Sequence, residues 1–151
     1  MSKIKIGDQI PKFSLEDQHG NMVSIETYLG KPLVIYFYPK DDTPGCIREA
    51  CYFRDQFEVF AEHGAEIIGI STDSPKSHLK FAKKYKLNFT LLSDKSREVE
   101  KLFGVKRSVL GLLPGRVTFV FDKEGIVRHV FNSQFKAEQH VEEALQIIKQ
   151  F

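Results

Sequence analysis

The chain holds two cysteines, Cys46 and Cys51, and their setting says more than their number. Both lie in the stretch Pro39-Lys40-Asp41-Asp42-Thr43-Pro44-Gly45-Cys46-Ile47-Arg48-Glu49-Ala50-Cys51. The continuously apolar run Leu33 to Tyr38 leads into it and has the composition of a buried strand. Behind it, Ala50, Phe53, Phe57, Phe60 and Ala61 recur at helical spacing. This order of strand, turn and helix puts Cys46 at the start of a helix. Unpaired N–H groups and the positive end of the macrodipole at that point favour a thiolate over a thiol. Thr43, three residues upstream, is placed to bring a hydroxyl beside the sulfur and also to cap the helix. Pro39 and Pro44 stiffen the loop, and Pro39 is placed to shield its floor. Arg48 offers positive charge nearby, although a solvated helix position explains it slightly better.

Helical geometry separates the two sulfurs. With the helix starting near Gly45, Cys46 shares the apolar stripe with Ala50 and Phe53, whereas Cys51 shares the polar stripe with Asp55, Glu58 and Glu62. Five residues of ideal helix give ~7.5 Å of rise and ~140° of net rotation, hence a Cα separation of ~8.6 Å. A disulfide needs Cα atoms within ~7 Å. Either the two never bond, or the first helical turns unwind.

Composition narrows the alternatives. A length of 151 residues fits one domain spanning 1–151 with a proper core. Apolar residues at 42% and charged residues at 28% describe an ordinary soluble globular protein. A net charge of +2 is too small to point to nucleic acid or an anionic membrane. No apolar run approaches the ~20 residues of a membrane span. The start, Met1 to Ile6, lacks the apolar core of a secretory signal, and Met1 argues against a removed transit peptide, so the expected compartment is the cytoplasm. Permanent disulfides are rare there, which leaves buried inert thiols, a metal site or redox chemistry. The CxxxxC spacing is not the CxxC of zinc knuckles or redox pairs, and His19, His63, His78, His129 and His140 are scattered, so no metal is expected.

The remaining elements build a frame for that loop. Phe13 to Glu16 and Met22 to Ile25 flank Asp17-Gln18-His19-Gly20-Asn21 and read as an N-terminal β-hairpin. The Cys46 helix is expected to run to His63-Gly64. Ala65 to Ile70 is a second buried strand. Asp73-Ser74-Pro75 opens a helix presenting His78, Phe81, Ala82 and Tyr85 on one face. Thr90 to Leu92 is a short strand, and Asp94 or Ser96 caps a helix carrying Val99, Leu102 and Phe103. Lys106 to Arg116 reads as a loop. Val117 to Phe121 and Ile126 to Phe131 form a second hairpin, and Val141, Ala144, Leu145 and Ile148 line a final helix. Strands alternating with helices, then an antiparallel pair, predict an α/β fold with a mixed sheet and helices on both faces. Lys80, Lys83, Lys84 and Lys86 read as a solvated helix face, and most of the 13 phenylalanines as core.

The cysteine stretch resembles a known family. Pro39-x-x-x-Thr43-x-x-Cys46 matches the peroxiredoxin pattern, and Thr43-Pro44-Gly45-Cys46 with Cys51 is similar to the bacterioferritin-comigratory-protein or peroxiredoxin Q subfamily. Phe53-Arg54-Asp55, Ile68-Gly69-Ile70-Ser71, Leu91-Leu92-Ser93-Asp94 and Leu113-Pro114-Gly115-Arg116 extend the match over nearly the whole chain. The resemblance implies a thioredoxin-like fold with the N-terminal hairpin as an extension. It implies Cys46 as peroxidatic cysteine, Thr43 as its hydroxyl partner, Pro39 as the shield of the pocket, Arg116 as the completing guanidinium and Cys51 as resolving cysteine. Arg116 precedes a buried strand, from which it can enter the site at a sheet edge. The implied activity is an antioxidant thiol peroxidase acting on hydrogen peroxide and organic hydroperoxides. It passes through a Cys46 sulfenic acid and a Cys46–Cys51 disulfide and is recycled by thioredoxin or a similar dithiol. No metal, haem or flavin is required, and an internal resolving cysteine favours a monomer. A redox sensor without turnover and a binding module with inert thiols are the competing readings; catalytic peroxide consumption and thiol loss separate them.

Overall fold

The computed structural model describes residues 4–107 and 115–151. One seven-stranded sheet runs through these residues, in the order β2-β1-β5-β4-β3-β6-β7. The strands are β1 (Ser14–Asp17), β2 (Met22–Ser24), β3 (Leu33–Phe37), β4 (Glu66–Ser71), β5 (Thr90–Ser93), β6 (Val117–Phe121) and β7 (Val127–Asn132). The helices are α1 (Pro44–Asp55), α2 (Phe57–Glu62), α3 (Pro75–Tyr85), α4 (Glu98–Phe103) and α5 (Ala137–Ile148). β3 pairs in parallel with β4 and antiparallel with β6, and β4 is parallel to β5. The N-terminal hairpin joins the sheet through β1, antiparallel to β5. The mixed α/β sheet of the sequence reading is therefore present.

β3 is apolar throughout because both of its faces are covered; all five residues are buried. Side chains alternate across the pleat. Val34 and Tyr36, with Tyr38 just beyond the strand, enter one apolar cluster with Phe53, Phe81 and Val141 of α1, α3 and α5. Leu33, Ile35 and Phe37 enter the other with Phe103, Phe119 and Phe121. Gly69 on β4 lets the Tyr36 ring close: a Cβ there would lie 2.9 Å from Tyr36 Cζ and from Leu91 Cδ2.

Several boundaries differ from expectation. The Cys46 helix does not run unbroken to Gly64; it stops at Asp55, and Gln56 leaves helical geometry (φ −94°, ψ 5°) before α2 begins. No glycine or proline marks that break, so the apolar pattern conceals it. Ile25 belongs to a short 3-10 turn, Ile25–Tyr28, and not to β2. Arg97 rather than Asp94 or Ser96 occupies the N-cap position of α4, yet Asp94 does supply the cap chemistry: its carboxylate accepts from Val99 N at 3.1 Å and Glu100 N at 2.8 Å. Leu102, assigned to the apolar face, is exposed. Most of the Lys106 to Arg116 loop, including Leu113 and Pro114, lies outside the described residues.

Candidate functional site

β3 delivers the chain to Pro39, which is buried, and Pro44 opens α1 two residues before Cys46. Proline suits a first helical position because it needs no partner for an N–H. Cys46 is 1% exposed and lies on the inward face of α1 with Glu49, Ala50 and Phe53. Cys51 is half-buried, and both thiols are free. Thr43 holds the N-cap position with extended backbone, but its side chain makes no cap bond; the hydroxyl donates to Lys40 O at 2.8 Å. The expected side-chain cap is therefore corrected. Turned from Lys40 O toward the Cys46 sulfur, the same hydroxyl favours the thiolate.

Arg116, just ahead of β6, enters the site from the sheet and is 5% exposed. Its Nη2 donates to Cys46 Sγ at 3.5 Å, its Nη1 to Glu49 Oε1 at 2.5 Å, and its Nε to Gln134 O at 3.1 Å. The planar guanidinium is thus fixed on three sides. Gly45 leaves room for it: a Cβ there would lie 2.8 Å from Arg116 Nη2. An open cavity of about 300 Å³ reaches this point, lined among others by Pro39, Thr43, Arg48 and Arg116, with Phe135 89% exposed at its edge. Pro39, Thr43, Cys46 and Arg116 are thus brought together, while Cys51 is carried away along the helix. Arg48 stays exposed and faces Glu138 at 3.5 Å.

Glu49 was not singled out in the sequence, although it carried a signal: a carboxyl three residues after Cys46, on the apolar stripe. It is fully buried, and its Oε2 has no hydrogen-bond partner among the described residues, with His140 Nδ1 at 3.8 Å. Burial pushes its carboxyl up to about 8 against the pull of Arg116. His140 is held down at about 4, chiefly by burial. Its Nε2 donates to Ser133 O at 2.7 Å, so Nδ1 accepts from the Thr118 hydroxyl at 2.8 Å.

The thiol itself corrects one expectation. Burial pushes Cys46 up and is the largest influence; the Arg116 charge, the Thr43 hydroxyl and the Lys40 backbone pull down, Glu49 adds to the rise, and the net direction is upward. A helix start by itself favours a lowered value; near-complete enclosure of the sulfur and the sharing of Arg116 with Glu49 outweigh it. Burial also pushes Cys51 up, opposed by Arg54.

Among the described residues one group, Asp41, Asp73 and His78, sets three potential ligand atoms within 4.8 Å of one another. Both ring nitrogens of His78 already make hydrogen-bond contacts, with Asp41 Oδ2 at 2.7 Å and Leu92 O at 2.9 Å. Lys84 of the basic cluster is not simply solvated; it pairs with Asp42 at 2.9 Å.

Chemically, the arrangement is one buried sulfur beside the Arg116 guanidinium, which itself lines the cavity and offers the sulfur a fixed hydrogen-bond donor. Such donors stabilise negative charge on sulfur and on an oxygen departing from it. Comparison with known proteins agrees. Residues 6–130 match the AhpC/TSA family. "Peroxiredoxin Q, chloroplastic" of Sedum lineare is 51% identical over 148 residues, covering 98% of this chain and 80% of that one. The crystal structure of peroxidoxin BcpB from Mycobacterium tuberculosis superposes with a TM-score of 0.91 at 40% identity, covering 98% of each chain. A Xanthomonas campestris bacterioferritin comigratory protein, whose structures are described in terms of alkyl peroxide reduction, gives 0.85 at 32% identity over 95% of this chain and 98% of that one. Fold and site together define a thiol-dependent peroxidase on a thioredoxin-like peroxiredoxin fold. The chain belongs to the AhpC/TSA family.

Proposed function

We propose that Cys46 is the peroxidatic cysteine and Cys51 the resolving one. The observation that carries this is the buried Cys46 sulfur at 3.5 Å from the Arg116 guanidinium at the end of an open cavity. The Cys46 thiolate attacks one oxygen of the peroxide. The S–O bond forms as the O–O bond breaks, and the departing oxygen takes a proton and leaves as water or an alcohol. Sulfur is oxidised by two electrons to a sulfenic acid and the peroxide is reduced by two. Arg116 and Thr43 hold charge on the sulfur and on the leaving oxygen, and Pro39 limits access of water. The Cys51 thiolate then attacks the Cys46 sulfur, hydroxide departs and is protonated to water, and a disulfide remains. An external dithiol of the thioredoxin type reduces it by exchange.

The substrates proposed are hydrogen peroxide and organic hydroperoxides, the latter supported by the alkyl peroxide reduction described for the Xanthomonas protein. No metal or organic cofactor enters these steps, and neither nucleic acid nor a membrane is proposed as a partner. No helix among the described residues is long and apolar enough to cross a membrane. We propose a monomer of one domain in the cytoplasm, a reducing compartment suited to two free thiols; the Sedum relative is chloroplastic.

Thiol counting with mass spectrometry after one equivalent of peroxide tests the reading. Loss of both thiols without a covalent dimer is expected, as is steady peroxide consumption with thioredoxin, thioredoxin reductase and NADPH. Full turnover by Cys46→Ser would overturn it. Sedimentation and cell fractionation test oligomeric state and compartment.

A further inference from the structure

His78 lies far from Cys46 in sequence and takes no part in the chemistry above, yet it is 0% exposed and bonded at both nitrogens. Its Nε2 faces Leu92 O, which only accepts, so that nitrogen carries a hydrogen. Its Nδ1 lies 2.7 Å from Asp41 Oδ2, a gap that must hold a proton. The Asp41 carboxylate also accepts from Tyr38 OH at 2.6 Å and Ser77 Oγ at 2.8 Å, and Asp41 N donates to Asp73 Oδ2 at 2.9 Å. Asp41 is therefore held through side chain and backbone alike, by groups just beyond β3, on α3 and in the turn before α3. The next residue, Asp42, sits at φ 61° and takes hydrogen bonds from Lys84 and Tyr85 at the far end of α3. The loop that carries Pro39 and Thr43 is thus clamped from both ends of one helix.

The hold stops at the start of α1. Ile47 N bonds Thr43 O at 2.8 Å within the helix itself, and beyond it the first turns are held by helical hydrogen bonds, by packing and by Arg116, which bonds Cys46 and Glu49 from the start of β6 and not from α3. Unwinding is needed there if Cys46 and Cys51 are to meet. We propose that His78 is a positioning residue which, through Asp41, keeps residues 41–43 in place while α1 unwinds from Pro44 onward. Peroxide reduction needs that loop fixed, because a small displacement of reacting groups costs much rate. Disulfide formation needs only the helix to open. This inference rests on the roles assigned above to Cys46 and Cys51.

Two substitutions separate positioning from bulk stability. Asn places its amide nitrogen near the Nδ1 position and keeps the bond to Asp41; Gln reaches the Nε2 position and keeps only the bond to Leu92. The chain has no tryptophan, so the peroxide step is best followed by competition with a haem peroxidase, and the disulfide step by quenched-flow mass spectrometry. In His78→Gln the peroxide step should fall about tenfold while disulfide formation is unchanged or faster, and His78→Asn should stay within about threefold of the unsubstituted protein on both. Equal losses in the two variants, or losses that follow Tm alone, would overturn the proposal. Should either variant fail to fold, hydrogen exchange of the unsubstituted protein decides: on oxidation the Ile47 amide should lose protection and the Asp41 amide keep it. Joint loss at both amides would be fatal to the idea. An unsubstituted protein that forms no sulfenic acid would instead sink the assignment of Cys46.

Discussion

Arg116 Nη1 donates to Glu49 Oε1 at 2.5 Å, on the same guanidinium whose Nη2 faces the Cys46 sulfur at 3.5 Å. One cation therefore serves two acid groups, and the charge state of Glu49 governs how much of it the thiolate receives. With its carboxyl pushed up to about 8, Glu49 is largely neutral at pH 7, which leaves the guanidinium to the sulfur. That offsets part of the burial that drives the Cys46 thiol up.

Arg116→Lys should lower the rate of sulfenic acid formation by about a hundredfold, because one ammonium does not span Glu49, Gln134 and Cys46 as a planar fork does. Peroxide competition kinetics measure it. A change under threefold would remove Arg116 from the chemistry.

Glu49 also predicts a pH dependence of stability. Its folded value, about 8, lies above the ordinary 4.5, so stability falls as pH rises from about 4.5 to about 8. His140 acts oppositely: held at about 4 against the ordinary 6.5, its contribution is present above 6.5 and lost as pH falls toward about 4. Above 6.5 only Glu49 of this pair acts. Urea unfolding from pH 6.5 to 8 should show a loss of about 2 kcal/mol that Glu49→Gln largely abolishes. Parallel curves would contradict the buried neutral carboxyl.

Gly45→Ala should displace Arg116, since the added Cβ would stand 2.8 Å from Nη2 and the guanidinium is fixed on its other sides. Slower peroxide reduction by about tenfold with a nearly unchanged Tm is expected, because the clash falls on a terminal side-chain nitrogen and not on backbone. Unchanged kinetics would mean that the guanidinium has room to shift.

In Cys51→Ser, Cys46 should stop at sulfenic acid or be oxidised further, detected by mass spectrometry. Oxidation of the unsubstituted protein should reduce helix content by far-UV circular dichroism, because α1 cannot hold both cysteines in bonding range. A spectrum unaffected by disulfide formation would refute the unwinding.

Much of the candidate site was legible in the sequence. Cys46, Thr43 and Pro39 lie within eight residues of one another, so local rules of turn and helix suffice to group them. The opposite faces of Cys46 and Cys51 follow from 3.6 residues per turn. Arg116 was reached only through resemblance, because nothing local ties it to a cysteine 70 residues away. Glu49 was visible as a charge on an apolar stripe but had no partner until β6 brought Arg116 to it.

By itself the sequence determined the strand-turn-helix around Cys46, the alternation of strands and helices and the mixed sheet, since these rest on periodicity and on turn and capping residues near in the chain. Only the tertiary structure decided the break at Gln56, the clamp of Asp41 by His78 and the upward direction of the Cys46 thiol. Each depends on how completely neighbours from distant segments exclude water and where their hydrogen bonds end, and neither is written in local spacing.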